Sequence, residues 1–209
     1  MKNSLGMKFY LICFSFVFLL ISCKKDEIIE TPIDYNSFML ESNYTFRGNL
    51  EGESFVWSYG IDEYQLGNGY ENPYGICDST NFERILECGL ASNEEGKPKY
   101  IIYTPAFNVK NITEFANVFS VGKKKLGSRI TDFFLVMQKD EKQYFTNANS
   151  DSNEIEILKT EEYLNNFGQP RLKVWFKLEA NLSDCDCQSQ TNKYKLTNGC
   201  LLAEFYGYK

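Results

Sequence analysis

The chain has 209 residues, 43% hydrophobic and 16% aromatic, with 22 basic and 28 acidic side chains, no histidine and a formal net charge of −6. The negative balance argues against a nucleic-acid partner, because phosphates need a basic surface. The lack of histidine excludes Ser-His-Asp and Cys-His catalysis and every histidine-based metal site within the chain.

The first 22 residues have the parts of an export signal. Lys2 and Lys8 supply the positive start, and residues 9–21 form a mainly apolar stretch. At a helical rise of about 1.5 Å per residue this stretch reaches roughly 20 Å, which is shorter than the roughly 30 Å hydrocarbon core of a bilayer. We therefore expect residues 1–22 to be a cleaved signal peptide.

The signal ends in Leu20-Ile21-Ser22-Cys23, which resembles the lipobox of bacterial lipoproteins, and Lys24-Lys25-Asp26-Glu27 is similar to the charged motif of Bacteroidota surface lipoproteins. The resemblance implies cleavage after Ser22 and lipidation of Cys23. It also implies an outer-membrane location, exposed at the cell surface or, as the alternative, facing the periplasm. An ordinary signal peptide with an incidental cysteine is the other interpretation. The domain as a whole resembles small uncharacterised lipoproteins of Bacteroidota, which implies no particular activity.

Two segments follow the signal. Residues 23–37 are acidic and lack a sustained period, which predicts a lipidated tether, and residues 38–209 predict one domain. Without Lys2 and Lys8 the 20 remaining basic side chains face 28 acidic ones, a balance of −8. This balance is compatible with solubility and argues against a basic membrane-binding patch.

Alternation of apolar and polar residues predicts strands along most of this domain. The clearest one places Leu172, Val174, Phe176 and Leu178 on one face, with Trp175 on the other. Asn198-Gly199 predicts a type I′ turn near the end of the chain. The predicted strands cover 44–47, 54–59, 84–90, 99–103, 133–137, 143–146, 154–157, 172–179, 194–196 and 201–206.

One segment has helical spacing, with Thr113 as its cap, Phe115, Val118 and Phe119 on one side, and Gly122 at its end. Many short strands with one short helix predict an all-β fold, an antiparallel β-sandwich, with a β-barrel as the alternative.

The cysteines suit an oxidising compartment. Cys77 with Cys88, and Cys187 with Cys200, are the disulfides that we expect, and Cys185 competes as a partner in the second pair. Five cysteines are left once Cys13 leaves with the signal and Cys23 is lipidated, and an odd count leaves at least one sulfur unpaired.

Trp175 is the first candidate for ligand binding, because alternation places it on the polar face between Lys173 and Lys177. An exposed tryptophan can stack on a sugar ring or make a cation–π contact. Coverage of that face by a second layer is the alternative. Tyr206 and Tyr208 would widen the aromatic platform if their strand neighbours Trp175.

Two short motifs carry weaker signals. Oxygen-bearing side chains alternate from Asn147 to Glu154, as in calcium loops, but the glycine of the EF-hand turn is missing, which favours a polar loop. Asp78-Ser79-Thr80 resembles the O-glycan acceptor of Bacteroidota envelope proteins. We expect no metal and no cofactor.

These observations predict a lipid-anchored envelope protein that binds a glycan or an envelope protein without catalysis. The first alternative is a glycoside hydrolase-like enzyme with two carboxylates, about 5 to 5.5 Å apart for retention or about 6.5 to 9.5 Å apart for inversion. The second alternative is a structural accessory subunit of an outer-membrane complex, which would expose an apolar patch.

Overall fold

Antiparallel strands make up most of the structure, a computed structural model that describes residues 34–71, 82–127, 129–184 and 193–208. These residues lie within one unit, Pro32–Lys209. Within these residues there are two helices, α1 (Tyr35–Phe38) and α2 (Ile112–Phe119). The strands are β1 (Thr45–Leu50), β2 (Glu53–Ser58), β3 (Tyr64–Glu71), β4 (Glu83–Ser92), β5 (Lys99–Tyr103), β6 (Phe107–Asn108), β7 (Gly122–Lys124), β8 (Phe134–Lys139), β9 (Lys142–Thr146), β10 (Glu154–Leu164), β11 (Pro170–Asp184) and β12 (Tyr194–Tyr206).

The strands form one sheet with the order β2-β1-β12-β11-β9-β8-β5-β4-β3. Strand β10 pairs with β11 and β7, while β6 pairs with β4. The β3–β4 end of this path returns to β12, where the Glu204 N–H donates to Cys88 Sγ at 3.3 Å. The sheet is therefore nearly closed and barrel-like, and the all-β prediction is confirmed.

The interior is apolar on the face that alternation predicted. Leu172, Val174, Phe176 and Leu178 of β11 are each at most 3% exposed and belong to the main core. Each fully buried side chain of this size contributes about 1.5–3 kcal/mol to folding. The two-residue period of β11 therefore selects which face of the sheet turns inward.

Helix α2 packs its apolar side against this core. The rings of Phe115 and Phe119 are 4.9 Å apart, and Phe119 lies 5.3 Å from Phe205 of β12. The cap is Asn111 instead of the expected Thr113, because Asn111 Oδ1 accepts from two backbone N–H groups of the first turn, at 3.0 and 3.3 Å. No helix within the described residues has the length and apolar character needed to cross a bilayer.

The prediction of a hairpin turn at Asn198-Gly199 is wrong. Strand β12 is 13 residues long and runs through both of these residues. Leu178 pairs with Gly199, and the register then shifts so that Ala180 pairs with Leu196. Asn198 has a φ of 51°, the left-handed conformation that also suits a turn. The pair therefore forms a β-bulge within one strand.

Candidate functional site

A half-open groove lies where β3, β4 and the end of β12 meet. Its cavity volume is about 660 Å³, within the roughly 300–1,000 Å³ of small-molecule sites. Leu86 and Val109 give it an apolar wall. We name it the tyrosine groove after its main side chains, which are Tyr70, Arg84, Lys110, Tyr206 and Tyr208.

The ends of three strands place these side chains. Tyr70 is the penultimate residue of β3, Arg84 is the second residue of β4, and Tyr206 ends β12. Beyond β12, the Gly207 N–H donates to Pro170 O at 3.0 Å. A Cβ at Gly207 would lie 3.0 Å from Pro170 and the Arg171 backbone, so glycine allows this close approach.

Tyr70 is the most accessible ring of the groove, with 64% of its surface exposed. It meets Tyr206 edge to face, with 6.2 Å between the ring centroids. The Tyr208 hydroxyl donates to Lys110 O at 2.9 Å, which joins two lining residues. The groove thus presents one open aromatic ring beside two rings that contacts hold in place.

Arg171 supports the Tyr206 ring. Its guanidinium lies 4.3 Å from the centroid of that ring, and its Nε is 3.6 Å from Glu204 Oε1. Gln169 Oε1 accepts a further hydrogen bond from Arg171 at 3.0 Å. Arg171 is only 8% exposed, so its guanidinium positions the Tyr206 ring and has little contact with solvent.

Glu204 is the centre of a polar cluster next to the groove. Asn68 Nδ2 donates to its Oε1 at 2.7 Å, and the hydroxyls of Tyr44 and Tyr163 donate to its Oε2. Glu204 is 9% exposed, and a carboxylate at such depth is tolerated only when its oxygens are paired. The cluster therefore ties β3, β10, β11 and the chain before β1 to β12.

Burial and hydrogen bonding keep the tyrosines of this cluster protonated. Burial first, and then the hydrogen bond to Glu204, raises the pKa of Tyr44 and the pKa of Tyr163 above their ordinary values. Both hydroxyls therefore remain donors to Glu204 through the neutral pH range.

Trp175 is buried, so the alternative of a covered face is confirmed and Trp175 is not available for ligand binding. Trp175 is 2% exposed and packs in one cluster with Phe38, Cys200 and Leu202. Phe38 ends helix α1, most of which lies in the segment that we expected to be a tether. The ring does make a cation–π contact, because Lys159 Nζ lies 4.3 Å from it.

Tyr206 and Tyr208 line the groove, but only Tyr206 lies on β12, which ends there. Strand β12 does neighbour β11, the strand that carries Trp175. In the pairing of β11 with β12, however, Trp175 is opposite Leu202, and Tyr206 is opposite Arg171. The three predicted residues therefore do not form one platform.

The expected disulfides are not present at the described sulfurs. Cys88 and Cys200 are free and 0% exposed, while Cys77, Cys185 and Cys187 lie outside the described residues. Burial raises the pKa of Cys88 to about 12 and that of Cys200 to about 11. Both are therefore inert, hydrophobic thiols in the folded protein.

The stretch from Asn147 to Asn153 is a loop held by its own polar groups, and Glu154 begins β10. Asn153 Nδ2 donates to Asn147 O at 2.6 Å, and Asn153 Oδ1 accepts from the Asn181 N–H at 2.9 Å. Within the described part of the chain, no group of three or more Cys, Asp or Glu side chains could hold a metal ion. The Asp78-Ser79-Thr80 motif lies outside the described residues.

The structure bears differently on the two alternative functions, a glycosidase and an accessory subunit. Two smaller cavities hold about 240 and 230 Å³, and each has one lining carboxylate, Glu87 and Glu162, while the groove has none. None of these three cavities offers the acid pair of a glycosidase. Leu164 and Phe167, 68% and 86% exposed, stand at the tip of the β10–β11 hairpin, which is the apolar feature that an accessory subunit would use.

Sequence reasoning missed Tyr70, Arg84 and Lys110 as site residues. Strand β3 was not predicted, because Gly67 and Gly69 interrupt it and glycine is depleted in strands. The apolar positions Tyr64, Leu66 and Tyr70 do keep the period of two. That period was the signal that could have placed Tyr70 on a strand.

Comparison with known proteins found no relative: no family model, no curated protein and no solved structure matches the chain.

Proposed function

We propose that this chain is a lipid-anchored outer-membrane protein that binds a glycan, without catalysis, in the tyrosine groove. The lipobox-like Leu20-Ile21-Ser22-Cys23 supports the anchor. The cell surface is the location that the charged residues after Cys23 favour, with the periplasmic face as the alternative.

The open ring of Tyr70 beside Tyr206 carries this proposal. The C–H faces of a pyranose ring are apolar and pack flat on an aromatic ring, while its hydroxyls need nearby polar partners. Tyr70 offers the ring at 64% exposure, and Arg84 and Lys110 offer donors within the same groove. A few polar groups converging on an apolar recess are typical of small-ligand sites.

The test is a Tyr70→Ala variant of the full chain, extracted from membranes in detergent. Wild-type protein should be retained on immobilised polysaccharides, a panel of β-glucan, xylan, mannan and polygalacturonate. The variant should lose about tenfold or more in affinity, because truncating an aromatic anchor at a binding site typically costs about 2 kcal/mol.

Tyr59→Ala is the matched control, since Tyr59 is 53% exposed and does not line the groove. It should bind as the wild type does. A wild-type protein that none of the four polymers retains, or a Tyr70→Ala variant that binds as tightly as the wild type, would contradict glycan binding in the groove.

A further inference from the structure

We propose that the tyrosine groove continues across Gly207 and Tyr208 into a second recess, so that the site selects an oligosaccharide chain over a disaccharide. This inference rests on the proposed function and names the length class of the glycan that the same site takes.

The second recess lies beside the β10–β11 hairpin, and its cavity volume is about 230 Å³. Gly207 and Tyr208, which follow the end of β12, line both this recess and the tyrosine groove. The two cavities therefore share a boundary that is two residues long. A chain that leaves the groove across this boundary enters the second recess.

Contacts on both sides hold the boundary in place. The Gly207 N–H donates to Pro170 O at 3.0 Å, and since glycine has no side chain the boundary at this residue is backbone alone. On the groove side, the Tyr208 hydroxyl donates to Lys110 O at 2.9 Å, and the Tyr208 ring lies 5.9 Å from the Phe115 ring. The crossing is thus preorganised, which lowers the cost of ordering it around a ligand.

The hairpin gives the second recess an apolar surface beside a carboxylate. Glu162 and Leu164 are two positions apart on β10, so their side chains leave the same face of the strand. Leu164 pairs with Pro170 of β11, which brings two apolar side chains together. Glu162 is exposed and Leu164 is 68% exposed, so both are accessible to a ligand.

This surface matches the chemistry of a sugar unit. The apolar C–H face of a pyranose ring would pack on Leu164 and Pro170, and the sugar hydroxyls would donate to the Glu162 carboxylate, which only accepts. A disaccharide stacked on Tyr70 would occupy the groove alone. A longer chain would reach the second recess in an intramolecular step at high effective concentration, so its affinity would be higher.

The experiment compares short and long pieces of the same polymer by isothermal titration calorimetry with the detergent-solubilised full chain. The pairs are laminaribiose and laminarihexaose, xylobiose and xylohexaose, mannobiose and mannohexaose, and digalacturonate and hexagalacturonate. The hexasaccharide of at least one pair should bind about tenfold or more tightly than its disaccharide.

Variants of the hairpin decide whether the second recess causes this preference, because a longer chain also offers more registers in the groove alone. Glu162→Gln and Leu164→Ala should each lower the ratio of the two affinities by about fivefold. Both side chains are accessible on the surface, so these changes leave the core packing intact.

Glu161→Gln is the matched control. Glu161 is exposed and adjacent to Glu162, but strand alternation directs it to the opposite face of β10, and it lines none of the three cavities. This variant should keep the wild-type ratio of affinities.

The outcomes separate the two proposals. Equal affinities for the short and long members of every pair that binds overturn the inference and leave the proposed function standing. A ratio that neither Glu162→Gln nor Leu164→Ala lowers also overturns the inference, as does retention of a polymer whose hexasaccharide does not bind. Binding of no oligosaccharide, together with failure of the polysaccharide panel, overturns both proposals.

Discussion

Glu204 is the residue that connects the groove to the stability of the molecule. Its carboxylate accepts from Tyr44, Tyr163 and Asn68 and lies 3.6 Å from the Arg171 guanidinium, which in turn stacks on Tyr206. Removing such a carboxylate leaves several buried donors without an acceptor, which costs more than the pair itself contributes.

Glu204→Ala should therefore lower the free energy of unfolding by about 3 kcal/mol. The measurement is urea unfolding followed by tryptophan fluorescence, with Trp57 and Trp175 both buried. The same variant should weaken the proposed saccharide binding, because Arg171 loses a partner that holds it against the Tyr206 ring.

Glu161→Ala is the control for an exposed carboxylate, since Glu161 forms a surface ion pair with Lys159 at 3.1 Å. Such pairs contribute about 0–1 kcal/mol, so this variant should unfold almost as the wild type does. Equal unfolding free energies for the two variants would contradict the role given to Glu204.

At the scale of elements, the bulge at Asn198-Gly199 decides how β12 runs between its neighbours. The same two residues would make a good hairpin turn in isolation. In the protein, β1 and β11 flank β12 on both sides, and both registers shift at this point. Pairing with two neighbours thus overrides a local turn preference, because each ladder satisfies backbone groups that a turn would leave exposed.

Gly199→Ala should destabilise the protein by about 2 kcal/mol, because overpacking a tight site forces the backbone to shift. A Cβ at this position would lie 2.6 Å from Leu178 O, which belongs to the adjacent strand. The measurement is again urea unfolding.

Gly67→Ala is the matched control, because a Cβ there meets nothing within 4 Å and Gly67 also lies in a strand. Its effect should stay within about 0.5 kcal/mol. If Gly199→Ala and Gly67→Ala had the same free energy of unfolding, the structural role given to the bulge would be wrong.

At the scale of the whole molecule, the proposed lipid anchor at Cys23 is the feature with the largest consequence. Each buried methylene of an acyl chain contributes about 0.8 kcal/mol, and two or more chains give stable attachment.

Cys23→Ser should abolish incorporation of labelled palmitate in the native host and leave residues 1–22 attached. Intact mass and radiolabelling measure the two effects. Cys13→Ser, in the middle of the apolar stretch, is the matched control and should be processed as the wild type is. Palmitate incorporation by the Cys23→Ser variant would exclude Cys23 as the lipidated residue.

Much of the fold was predictable from the sequence, and most of the candidate site was not. The period of two in β11 identified Leu172, Val174, Phe176 and Leu178 as an inward face, and burial confirms it. The same period placed Trp175 outward, which is correct for the sheet, but Phe38 covers it. Phe38 is far from Trp175 in the sequence, so the alternation of residues around Trp175 does not reveal this contact.

The amino-acid sequence by itself determined the all-β class, the inward face of β11 and the absence of histidine chemistry, because these depend on composition and on the spacing of nearby residues. Only the tertiary structure decided that Tyr70, Arg84, Lys110 and Tyr206 line one groove and that Glu204 supports it. These residues come from strands and turns far apart in the chain. Their meeting depends on which strands pair and where the sheet comes back to β12, and side-chain spacing does not encode that long-range closure.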